Sequence, residues 1–241
     1  MLSSIWRDLI HAARSLAKAR AFTFVCVVSL GIGMAPVIAI PYLSRVLTMQ
    51  PVGVKTEGLV EIITMRVGPR EATGSWSYPD YVDLRDANTG IALVGWTYGQ
   101  SHVKRDSVKV MFVSANYFQV MGVALFRGEG FSATAEPGVI LGYRYWQNHF
   151  ASDPDVIGKT VTLDDVPQVV MGIAPDQFNG HLPGNGEMAV FLPLERHPRF
   201  RTVGTDRSNE WVAIHGRLKP GVTVAQASAA VSAVTSVLAG Q

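Results

Sequence analysis

Six histidines, one cysteine and a short run of aspartates are the side chains here with the most obvious capacity for chemistry, and their spacing assembles none of them. His11, His102, His149, His181, His197 and His215 include no pair at i, i+3 or i+4, so no helix face offers two imidazoles to one ion. HExxH is absent and Cys26 is the only cysteine, which excludes a local Cys/His cluster. No metal ligand is expected. Asp80, Asp83 and Asp86 are the densest acids. At helical spacing they read as one solvated face near a helix start, where the dipole favours negative charge. Catalysis by paired carboxylates would need two different environments instead. There is no G-x-S-x-G elbow, Walker A or dinucleotide fingerprint, and Gly184-Asn185-Gly186 lacks the strand and helix of a phosphate cradle. Trp76, Tyr78 and Tyr81 could line a groove, but a core cluster is the simpler reading. The residues assign no catalytic site, no cofactor-binding site and no cofactor.

The elements that would position these groups are alternating strands and helices. Leu59 to Met65 is rich in branched residues and reads as a strand. Ser77-Tyr-Pro-Asp80 opens a helix to about Asn88, with Ser77 as N-cap and Pro in the first turn. Leu93 to Tyr98 and Ser107 to Val113 read as strands, and Asn116 to Met121 as a short helix stopped by Gly122. Residues 122–202 have more Gly and Pro and shorter elements. They include a strand at 139–141, a helix at 143–150, and strands at 160–163 and 168–173 around the turn Asp164-Asp165-Val166-Pro167. From Trp211 the α/β texture returns: a strand to Leu218, a Pro220-Gly221 turn, then the capping box Thr223-x-x-Gln226. The helix it opens carries Val224, Ala227, Val231, Val234 and Leu238 as one apolar stripe.

Ahead of all this, the 24 residues from Ala21 to Ser44 contain no charge. As a helix they would reach about 36 Å, enough for a hydrocarbon core of about 30 Å. Arg7, Arg14, Lys18 and Arg20 precede them against Asp8 alone, which places the N-terminus in the cytoplasm and the rest outside. The apolar run is longer than a signal-peptide core and no clear cleavage site follows it. Ile5, Leu9, Ala13 and Leu16 recur at helical spacing and predict an amphipathic helix on the cytoplasmic surface. Past residue 44 the chain holds 17 Lys and Arg against 18 Asp and Glu, so the net +2 belongs to the N-terminus. Nucleic-acid binding therefore lacks electrostatic support.

Several phrases together resemble one family, the MacB-like and FtsX-like permeases of ABC transporters. They are SLGIGMAPVIAI in the apolar run, SYPDYVDLRDAN, VSANYFQVMGV with GEGF, the stretch VILGYRYWQNHFASDPDVIGKTVTLDDVPQVVMGIAPDQF, and GRLKPGVTVAQASAAV. They cover nearly the whole chain in order. The sequence departs from the family at Met34-Ala35-Pro36, where Asn is frequent, and at Asp164-Asp165, where the hairpin turn is usually Asn-Gly. Asp accepts positive φ there at a higher cost than Gly.

The resemblance implies an α+β chain: a cytoplasmic amphipathic helix at 1–21, one transmembrane helix at 22–44, and an extracytoplasmic domain. That domain is expected as two α/β halves (Porter-like) at 45–121 and 203–241 around an inserted β-rich lobe (Sabre-like) at 122–202. It implies a non-enzymatic permease subunit of an efflux or mechanotransmission system in the bacterial inner membrane, with ATP hydrolysis only in a partner. Implied partners are the lipid bilayer, an ABC ATPase, a second copy as homodimer and a periplasmic adaptor protein, with no nucleic acid. Relatives continue into three more spans, so the chain is expected to be truncated before them. The alternative is a single-span, membrane-anchored binding or sensing module.

Overall fold

In the computed structural model the described residues are 53–63, 74–103, 105–131, 138–182, 186–238 and seven of those before 53. Those seven, Ala21, Phe24, Val25, Val28, Ser29, Leu30 and Met34, are helical and exposed. The predicted surface helix at 1–21 and span at 22–44 thus lie almost wholly outside the described residues. Among the described residues, no helix is long and apolar enough to cross a membrane. The chain divides into two units, Met1–Met49 and Gln50–Gln241, and every described strand belongs to the second.

These strands form one mixed sheet. The first section is antiparallel: β1 (Leu59–Ile62) and β2 (Ser75–Trp76) share one side of β10 (Val212–Leu218), β3 (Ile91–Val103) takes the other, and β4 (Asp106–Val113) follows as its hairpin partner. The second section holds β9 (Val190–Pro193), β6 (Gly138–Leu141) and β8 (Val166–Ile173), with β5 (Arg127–Gly128) and β7 (Thr160–Leu163) on the far side of β8. The sections meet where β4 runs parallel to β9, from Val110 opposite Val190 to Val113 opposite Pro193.

Period-two alternation divides the core by sheet face. Val212 and Ile214 of β10, with Ile91 and Leu93 of β3 and Val110 and Phe112 of β4, bury on one side with Tyr81 and Leu84 of α1 (Tyr78–Asp86) and Ala227 of α5 (Val224–Leu238). Val94 and Trp96 of β3 and Met111 and Val113 of β4 bury on the other, with Tyr117, Phe118 and Met121 of α2 (Tyr117–Met121). α3 (Tyr143–Phe150) covers the second section with Tyr145 and Trp146.

Local signals behaved as their chemistry requires. The Ser77 hydroxyl accepts the Asp80 N–H at 3.2 Å and caps α1. Gly122 ends α2 at φ 69°, and Thr223 and Gln226 satisfy each other's backbone N–H at 2.9 and 3.3 Å. Boundaries moved where pairing outweighed propensity. β3 extends from Ile91 to Val103 because β4 and β10 pair with it along its length. α1 stops at Asp86, as Ala87 is extended. The hairpin turn narrows to Asp164-Asp165, with φ 47° and 62°, and Val166 and Pro167 join β8. β2, β5, β9, a 3-10 turn at Leu194–Arg196 and α4 (Pro198–Val203) were not read from the sequence.

Candidate functional site

Among the described residues no group of three or more His, Cys, Asp or Glu is placed to hold a metal ion. What the fold assembles instead are clamps that tie separate segments to the sheet.

The largest joins the segment leading in from the N-terminal unit. Arg217, on the α2 face of β10, donates from Nε to the Val120 carbonyl at 2.7 Å, and its two terminal nitrogens donate to the carbonyls of Glu57 and Lys55. The Lys55 N–H donates to the Met121 carbonyl at 3.0 Å. One guanidinium thus satisfies the exposed end of α2 and fixes residues 55–57 beside it. A planar fork with five N–H donors suits this, and a single ammonium does not.

A second clamp crosses from the β7–β8 hairpin to the β3–β4 hairpin. Asp164 Oδ2 accepts the Ser101 hydroxyl at 2.7 Å, Oδ1 accepts the His102 N–H at 2.8 Å, and the Asp164 N–H returns a bond to the His102 carbonyl at 2.9 Å. The His102 ring stands 3.1 Å from Oδ1. Burial pushes this carboxyl up, but the Ser101 and His102 hydrogen bonds outweigh it and hold it below the ordinary carboxylate range. These bonds explain an Asp at a positive-φ turn: its side chain gains partners that Asn-Gly could not supply as an anion.

A third lies under the sheet. Trp96 Nε1 donates to His215 Nδ1 at 2.9 Å, the Tyr117 hydroxyl lies 2.9 Å from His181 Nδ1, and the two imidazoles stack edge to face with centroids 4.4 Å apart. Histidines 34 positions apart could not be paired by spacing. Burial pushes His181 down to about 3, with the His215 charge adding to it, and His215 down to about 4.

The three acids read as a solvated face separate here. Asp80 and Asp83 are bridged by Arg207, at 2.5 and 2.7 Å, whereas Asp86 pairs with its neighbour Arg85 at 2.7 Å. The aromatic trio is core: Trp76 and Tyr81 are buried, and half-buried Tyr78 stacks against Trp211 and donates to Glu195 at 2.9 Å. Burial, then the Glu195 charge, pushes the Tyr78 phenol above its ordinary value. His102, His181 and His215 serve the clamps. His197 stacks on Trp211 and is pushed down to about 4 by burial and Arg199, while His149 stacks on Tyr145. Nothing in local spacing marked Arg217 or the buried histidines. The substitution of Asp for Asn-Gly at 164–165 was the only sequence trace of the hairpin clamp.

Three solved structures share this architecture. The periplasmic region of MacB from Actinobacillus actinomycetemcomitans matches with TM-score 0.54 and 18% identity, over 78% of this chain and 87% of that one. The extracellular domain of the noncanonic ABC-type transporter YknZ from Gram-positive bacteria matches with TM-score 0.51 and 12% identity, over 76% and 95%. A permease domain from Porphyromonas gingivalis matches with TM-score 0.55 and 15% identity, over 75% and 84%. At these identities the likeness speaks for the fold. No curated protein sequence matches the chain. The family model described as MacB-like periplasmic core domain matches residues 23–234, which takes in both the described sheet and most of the apolar run before it. The chain therefore belongs to the MacB-like periplasmic core domain family.

Proposed function

We propose that this chain belongs to a non-enzymatic permease subunit in a MacB-like ABC efflux or mechanotransmission system. Its sheet domain stands outside the bacterial inner membrane and moves in response to a separate ATPase. The observation that carries this reading is the Arg217 clamp. It couples the backbone of residues 55–57, which follow the apolar run in the chain, to α2 and β10 together, so a displacement of that segment is passed to the body. In this reading residues 22–44 span the bilayer and 1–21 lie on its cytoplasmic side. Residues 45–121 and 203–241 act as one body and 122–202 as a lobe hinged at the β4–β9 pair and held by Asp164. A second copy and a periplasmic adaptor complete the assembly.

The test uses the full gene product, tagged in its host. An ABC ATPase should copurify. With Cys26 replaced, spin labels at the exposed positions Gln119 and Asp155 should report a distance that changes when nucleotide is added to the complex. An unchanged distance defeats the lever. A complex purified with no ATPase favours an anchored binding or sensing module.

A further inference from the structure

The connection from β8 leads to β9, the strand that joins the two sections of the sheet, and its first part is pinned by two side chains. Phe178 stacks on Phe191 with centroids 5.6 Å apart, and His181, only 4% exposed, fills the space between Trp96, Tyr117 and His215. We infer that His181 and His215 are an acid-release latch, holding residues 174–182 on the sheet while both rings are neutral and letting them go when the rings take up protons.

Hydrogen bonding fixes the protonation state of His215, and burial disfavours a charge on His181. Indole N–H can only donate, so His215 Nδ1 must be the bare nitrogen of a neutral ring. Protonation would set two N–H donors facing each other at 2.9 Å. His181 fares no better: Nδ1 is engaged with the Tyr117 hydroxyl, and Nε2 is buried without a partner. A proton gained there places a cation in the core beside a second imidazole. The groups facing the pair offer little compensation. β3 presents Trp96 and Tyr98, β4 Met111 with exposed Lys109 further along, and α2 Tyr117. β10 adds Arg217, a like charge two residues from His215 on the same face, engaged with carbonyls. On the edge strand, Glu61 is the cross-strand partner of His215 and is exposed. Neither ring has a carboxylate partner among the described residues.

Both rings titrate in the docked state well below their ordinary value of 6.5. Docking is therefore fully favoured above pH 6.5 and weakens as pH falls toward 4, by up to tenfold per pH unit through His181, the ring that the loop carries out of the core. Because the loop leads into β9, its release would loosen the joint between the two sections.

Hydrogen exchange of the full chain in nanodiscs tests this, with rates normalised for intrinsic pH dependence. Protection of amides 176–182 should fall at least about thirtyfold between pH 7 and pH 5 while β3 and α5 hold theirs. In the double variant His181→Gln, His215→Gln, whose amides can accept the same bonds without titrating, the fall should be under about threefold. Equal loss in wild type and variant, unchanged wild-type protection down to pH 4.5, or simultaneous loss in β3 overturns the latch. If the double variant does not fold, the imidazole C–H shifts of the wild type decide. Normal titration near pH 6.5 with the loop still protected refutes it, and silence until the loop opens supports it.

Discussion

β10 is held near its two ends by two arginines that do different work. Arg217, at the end nearer the lead-in, donates to three backbone carbonyls from two other segments. Arg207, just ahead of the strand, bridges the carboxylates of Asp80 and Asp83 in the first turns of α1. Carbonyls cannot rearrange without moving the chain, so the first clamp fixes backbone to backbone. The carboxylates keep alternatives in water and in the helix dipole, so the second ties an exposed guanidinium to two half-buried carboxylates at little gain. The same side chain is a structural tie at one end of the strand and a surface ion pair at the other.

The contrast between the two ends is most severely disturbed by a change in the strand beside the first clamp. A Cβ on Gly216 would stand 2.5 Å from Ile91 Cγ2 and 2.8 Å from Leu93 Cδ2, so Gly216→Ala should cost on the order of 3 kcal/mol in urea unfolding, through overpacking. Arg217→Ala should cost about 2 kcal/mol, and Arg217→Lys should recover less than half of it. In both Arg217 variants hydrogen exchange should rise in residues 55–57 and at the end of α2. If Arg217→Ala leaves those amides protected, the clamp is not what seats the lead-in. Thr223→Ala removes one member of the capping box and should cost about 1 kcal/mol, with fraying confined to the start of α5. Arg207→Ala should change stability by less than about 1 kcal/mol, and what effect there is should fade in 0.5 M salt. Asp80→Asn and Asp83→Asn should leave the function of the permease near normal. Loss of function in the Asp variants with folding intact would make that end of the molecule the working site instead.

Much of this protein was determined by its sequence alone, wherever the deciding interaction spans only a few residues. Ser77, Gly122 and the Thr223/Gln226 box mark helix ends because capping bonds close within three or four positions. Runs of branched and aromatic residues placed the central strands of the first section, whose two faces are both buried. The family phrases carried the fold class. Only the tertiary structure decided the rest. β5 has only two residues, and both it and β9 exist because β4, β6 and β8 offer unpaired edges. The role of Asp80 and Asp83 turned on Arg207, more than 120 positions away. His181 and His215 became a pair, and Arg217 a clamp, because the sheet order sets β10 beside β3 and brings α2 and the β8–β9 connection over the same face. Local spacing carries no record of those approaches. They are fixed by the burial of two faces of one sheet, a property of the whole chain.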